Sequence, residues 1–234
     1  MDFFMGTIPI DSYVSGGTIT LFLGSHPPEL KNDILHSDLY SKLVAQLKGN
    51  DRELSWSSYT STLSKLQWTV RSREFFRSEF GTTSGAHVIT KTLESSLSRP
   101  EQLALSKAFR ELRDLPVGSP AKKAIFERLR LNIFFGNTDT PSTPYSTAFL
   151  FTVVRPDTSL LTVQVSFESN SALDMNIFTS PTLQPIADGK SNIRLINCYL
   201  SEKNYSQYRD SIIKKLGSKI ETELLHVQAS HDPQ

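Results

Sequence analysis

The residues that bear on chemistry are few and scattered. Arg71, Arg73, Phe75 and Arg77 recur at every second position of one segment. Alternate residues of an extended chain project to one side, so this spacing predicts a strand with a basic, aromatic face. Guanidinium groups beside an aromatic ring suit a phosphate, a lipid headgroup, RNA or an acidic partner. The same charges on an exposed strand also discourage edge pairing, which is the purely structural reading of the face. His36 and His87 are the candidate bases of a hydrolase or transferase, and that reading requires a deep pocket placing one of them beside a hydroxyl or a carboxylate. For His36 the residues favour a structural role. Cys198 alternates with Ile196 and Leu200, so its thiol is expected in the core, with lipidation as the alternative.

Other chemistry finds no motif. The five histidines are His26, His36, His87, His226 and His231. None stands four residues from another, and a single cysteine makes no thiolate cluster, so no metal site is expected. Gly189-Lys190-Ser191 lacks the upstream glycine and following helix of a phosphate loop, and no Gly-x-Ser-x-Gly elbow occurs. No cofactor is expected, and the balance leans away from an enzyme.

The elements that must position these residues follow from the hydrophobic period. A β-rich run from Thr18 to Leu23 follows Gly16-Gly17. Leu30, Ile34, Leu35, Leu39, Leu43 and Leu47 keep a helical period, as do Trp56, Tyr59, Leu63 and Leu66, which predicts a helical hairpin. Trp68 to Phe80 changes to a period of two. Ser98, Pro100 and Glu101 form a capping box, and Ser119-Pro120 opens another helix. Beyond Leu131 the period stays near two, with Asp139 to Pro144 as a turn. Phe149, Phe151 and Val153 alternate with equally apolar neighbours, marking a central strand. Leu161, Val163, Val165 and Phe167 face one way, Leu173, Met175 and Ile177 suggest a shorter strand, and Ile193 to Leu200 a further one. A helix is expected from about Glu202 to Val227, with Tyr205, Tyr208, Ile212, Leu216, Ile220 and Leu224 on one stripe.

The 234 residues carry 25 basic and 24 acidic side chains, a net charge of +1. That argues against a nucleic-acid binder working through a general basic field. The one cysteine excludes an intrachain disulfide framework. The run Ile19 to Leu23 is far short of the roughly 20 apolar residues that span a bilayer. The start carries an acid and no base, unlike a secretory signal. A cytoplasmic protein is expected, with delivery elsewhere requiring a signal-peptide-independent route.

The stretch His36-Ser37, Leu39 and Leu43 to Leu47, then Trp56, Tyr59, Leu63 and Trp68, with the later Tyr208 to Leu216, resembles a small family of uncharacterised bacterial and fungal proteins. The resemblance runs from about Gly24 to about Lys219, rests on apolar and aromatic positions, and implies a fold without an activity. The chain is also similar in size and α/β character to acylated bacterial virulence factors.

Together these features predict a single α+β domain over residues 1–234. Its helix-rich half runs to about residue 130. An antiparallel sheet of about five or six strands then follows to about residue 228, backed by the long C-terminal helix. The expected function is a non-enzymatic interaction or effector-like role. The partner is a protein or an anionic ligand, with peripheral membrane contact and homo-oligomer formation as further expectations.

Overall fold

The computed structural model describes residues 8–48, 52–77, 83–131, 145–169, 175–181, 183–184 and 193–227. The fold is α+β, built on one mixed sheet that has eight strands among the described residues. Strands β1 (Ile10–Ser15) and β2 (Thr18–Leu23) form a hairpin over Gly16 and Gly17. Both glycines have positive φ, +57° and +73°, the tight-turn geometry whose twist matches paired strands. At Gly17 a Cβ would stand 2.4 Å from Arg128 Cβ and 2.8 Å from the Ala124 carbonyl oxygen. Backbone conformation and close approach therefore both demand glycine there.

Helices α1 (Pro28–Gln46) and α2 (Arg52–Lys65) pack as a pair and lead into β3 (Trp68–Phe76). Helices α3 (Gly85–Leu93), α4 (Arg99–Arg113) and α5 (Pro120–Leu131) follow. At the start of α4 the Ser98 backbone N–H donates to the Glu101 carboxylate at 2.7 Å, as the capping box requires. At α5 the Lys122 N–H donates to Ser119 Oγ at 3.2 Å, so Ser119 is the expected cap. Strands β4 (Tyr145–Val154) and β5 (Ser159–Ser169) are an antiparallel pair, and β6 (Leu183–Gln184) and β7 (Ile193–Leu200) both join β5.

The strand order is β3-β7-β5-β4-β2-β1 and then β8 (Leu224–Val227), with β6 off this path. β4 lies in the middle, as its two apolar faces require. One face carries Ile19, Leu21, Phe149, Phe151, Val163, Val165 and Leu195 against α3, α4 and α5. There Phe109 stacks on Phe151 at 5.1 Å between ring centroids. The other face carries Phe22, Val154, Leu160, Cys198 and Leu200 beneath α1 and α2.

Several expectations need correction. Among the described residues the sheet has eight strands, not five or six, and it is mixed: β2 runs parallel to β4. It draws β1, β2 and β3 from the first half of the chain, and helices cover both faces, so the last helix is not its sole backing. That last helix is also not continuous. It divides into α6 (Glu202–Tyr205), α7 (Arg209–Leu216) and α8 (Lys219–Glu223), and the chain then enters β8. The break after α7 falls at Gly217, whose φ of +53° with ψ of −132° is open to glycine and strained for other residues. Met175–Phe178 forms a 3₁₀ turn rather than a strand. The alternation from Ile133 to Phe135 and the turn at Asp139 to Pro144 lie outside the described residues.

Candidate functional site

β3 is an edge strand, paired antiparallel with β7 from Trp68 opposite Leu200 to Phe76 opposite Ile193. Its root is fixed by Trp68, which is buried and donates from Nε1 to Ser37 Oγ at 3.1 Å. Its outer half is exposed, including Phe75 at 51% and Phe76 at 36%.

The register slips between Val70 and Ser72, leaving Arg71 as an extra residue in a bulge. Before the bulge, Trp68 and Val70 sit opposite Leu200 and Cys198. After it, Arg73 and Phe75 sit opposite Ile196 and Arg194. These β7 positions share one parity, so Arg73 and Phe75 face the α1–α2 layer together with Trp68. Arg71 is sent to the other face, where its guanidinium lies 4.9 Å from the centre of the Tyr199 ring. The single basic face expected from the spacing is therefore split. Arg73, Phe75 and Arg77 remain together, with the Arg77 guanidinium 5.9 Å from the centre of the Phe75 ring.

Beyond the bulge lies a small cleft of about 150 Å³ lined by Trp56, Arg73, Glu74, Phe75, Arg194 and Leu195. Arg194 is only 7% exposed and donates from Nη1 to Gln164 Oε1 at 3.1 Å. Two guanidinium groups and two aromatic rings thus meet, with the Glu74 carboxylate beside them, where the spacing alone showed three arginines and one ring. Drug-sized ligands need roughly 300–1,000 Å³, so this cleft is too small to enclose one.

The two histidines are not brought together. His36 lies half-buried on α1, with its pKa lowered by burial against the pull of Asp33. His87 is exposed in the first turn of α3, and its backbone N–H donates to Ser84 Oγ. The two helices cover opposite faces of the sheet, and neither histidine lines the cleft. Cys198 is buried on β7, and burial, with the Asp38 charge second, pushes its thiol pKa up to about 12. The thiol has no solvent exposure in this structure, as its alternation with Ile196 and Leu200 predicts.

Sequence reasoning missed two polar groupings. Beneath α1, Lys42 Nζ lies 2.6 Å from Asp38 Oδ2, both side chains being 1% exposed. Tyr59 Oη donates to Asp38 Oδ1 at 2.8 Å, and Ser15 Oγ donates to Oδ2 at 3.4 Å. The i, i+4 spacing of Asp38 and Lys42 was a visible signal of pairing, but nothing local marked it as buried. At the far edge, the β1–β8 register sets Tyr13 opposite His226, and Asp11 receives His226 Nε2 at 2.6 Å, Tyr13 Oη at 3.1 Å and Lys31. Burial pushes the Asp11 carboxyl up, but these donors outweigh it and the net shift is downward. Tyr13 is pushed up to about 12, mainly by burial. This second grouping joins the two ends of the described chain, which no sequence spacing announces. Among the described residues no group of three His, Cys, Asp or Glu is placed to hold a metal ion. No described helix is long and apolar enough to cross a membrane.

No protein-family model matches the chain, and no curated protein does. Among solved structures, it is similar to the Evf virulence factor at 9% identity and a TM-score of 0.36, over 98% of this chain and 89% of that one. It is similar to a delta-endotoxin at 11% identity and a TM-score of 0.27, over 100% of this chain and 90% of that one. Neither likeness bears on the site.

Proposed function

We propose that the protein is a non-catalytic interaction protein that engages an anionic partner through the outer half of β3. The observation that carries this reading is the meeting of Arg73, Arg194, Trp56 and Phe75 around one cleft. Arg73 forms no ion pair among the described residues, so its charge is available to an incoming group. Exposed aromatic rings beside cations supply contact area and charge selectivity at once. The cleft is too small to enclose a metabolite and sits on a strand edge open to a large partner.

The test is a salt-dependent titration. Fluorescent acidic peptides and vesicles containing phosphatidylserine are offered to the wild-type protein and to an Arg71→Gln/Arg73→Gln/Arg77→Gln variant. An anionic probe is expected to bind, to weaken with added salt, and to bind the variant about tenfold less tightly or worse. Equal binding of both proteins, or no binding of any anionic probe, rejects the reading.

A further inference from the structure

We propose that the partner is an extended acidic segment of another protein that adds a strand to the outer edge of β3, with acidic side chains at alternate positions. This rests on the anionic-partner reading above and specifies the form the partner takes. β3 ends the sheet, and β7 is its sole pairing strand among the described residues. Alternate N–H and C=O groups of an edge strand point away from its neighbour and are free to pair with an added chain. From Ser72 to Phe76 the register with β7 is regular, a run about as long as an average strand.

The two faces of this run specify the added sequence. One face presents Arg73 and Phe75, with Arg77 over the Phe75 ring and Arg194 opposite Phe75 on β7. The other presents Glu74 and Phe76. Side chains of an added strand stand beside those of β3 on the same faces. Carboxylates on the first face meet guanidinium groups. A carboxylate on the second would meet Glu74, so neutral apolar residues belong there, beside Phe76. Acidic and apolar residues should therefore alternate.

Charge also decides among occupants. Pairing β3 antiparallel with a second copy of itself about Phe75 would set Arg73 of one chain against Arg77 of the other, and like charges across a pair are destabilising. Bulges and edge charges ordinarily guard a strand against pairing. Here the guarded run still exposes two adjacent phenylalanines, Phe75 and Phe76. The cations then select the sign of the incoming strand rather than forbid it.

The test uses the full chain, isotope-labelled, and a synthetic peptide of alternating Glu and Val. Two further versions are N-methylated at every Glu or at every Val, so that one of them blocks the face of the peptide backbone turned to β3. The unmodified peptide is expected to bind and to slow amide exchange within Ser72–Phe76. One N-methylated version should bind about tenfold less tightly or worse, and so should the unmodified peptide with the exposed-site variant Arg73→Gln. If both methylated peptides bind as well as the parent while Arg73→Gln still weakens all three, strand addition is overturned and anion capture stands. If only phosphatidylserine vesicles bind, in an Arg73-dependent way, the partner is a lipid surface and strand addition is likewise overturned. If no anionic probe binds, both readings fall.

Discussion

Separating Asp38 from Lys42 tests how the layer of α1 and α2 is held on the sheet. The two charges lie 2.6 Å apart and are almost wholly buried. At an effective dielectric constant of about 20, their attraction is about 6 kcal/mol. Against it stand desolvation penalties of several kcal/mol per ion, so the intact pair nets close to zero. Losing one partner is different, because it leaves a buried charge alone. Asp38→Leu strands the Lys42 ammonium with only the Ser15 carbonyl oxygen at 3.4 Å, and should cost about 3–5 kcal/mol. For a chain of this size that is a fall in Tm of about 6–20 °C. Lys42→Met should fall near about 3 kcal/mol, the lower end of that range, because Tyr59 and Ser15 still donate to Asp38. The double variant should lie within about 1–2 kcal/mol of wild type, giving a strong coupling in a cycle read by urea unfolding. The Asp38→Leu loss should also shrink as pH rises. Burial already lowers the Lys42 pKa from its ordinary 10.5, and removing Asp38 lowers it further. The native state then binds fewer protons than the unfolded chain, and stability climbs toward pH 10.5. Additive single effects, or an Asp38→Leu loss that grows with pH, would falsify this account.

Three further outcomes can be checked separately. Burial pushes the Glu101 carboxyl up, but hydrogen bonds from Arg155 and Ser98 outweigh it and hold it below 4.5. Its contribution to stability is therefore complete above about pH 4.5 and lost as pH falls through its depressed folded value; Glu101→Gln should flatten that part of the acid-unfolding curve, and an unchanged curve would count against the Arg155 clamp. Gly17→Ala should destabilise more than Gly118→Ala. Both have positive φ, which costs a residue with a side chain about 1–2 kcal/mol, but only Gly17 also meets atoms within 3 Å, while Gly118 has nothing within 4 Å; equal losses in thermal unfolding would show that Arg128 simply moves aside. Cys198 should resist a thiol reagent in the native protein and react once unfolded, consistent with its burial; fast labelling without denaturant would mean that β7 opens readily.

Local signals were legible where local energetics decide the structure. The capping box at Ser98, the cap at Ser119, the two-sided apolar character of β4 and the period of α1 all appear where their residues put them. The long C-terminal helix was misread because Tyr205, Ile212, Leu216 and Leu224 keep a helical stripe on both sides of Gly217. One backbone conformation, invisible to periodicity, ends the helix there and frees Leu224–Val227 to become β8. β1 went unseen because Asp11, Ser12 and Ser15 dilute its apolar alternation, and its partner β8 lies at the far end of the chain. The arginine strand was found, yet its facing was not. A single extra residue at Arg71 reverses the parity that the spacing fixed, and the cleft needs Trp56 and Arg194 from other elements. Likewise, nothing local marks Asp38 and Lys42, four residues apart on α1, as buried; tertiary packing alone turns them into the interior.

The parallel pairing of β2 with β4 carries a consequence for synthesis. β2 is made early, but the strand beside it, β4, comes from the second half of the chain, as does β7, the neighbour of β3. At about 5–20 residues per second, β2 waits about ten seconds after leaving the ribosome before β4 follows. During that interval Ile19, Leu21, Phe22 and Leu23, all buried in the finished sheet, have only β1 and nearby helices for cover. The nascent chain is thus a natural client for chaperones that hold apolar strands apart, and slowing translation should make its yield depend more steeply on them.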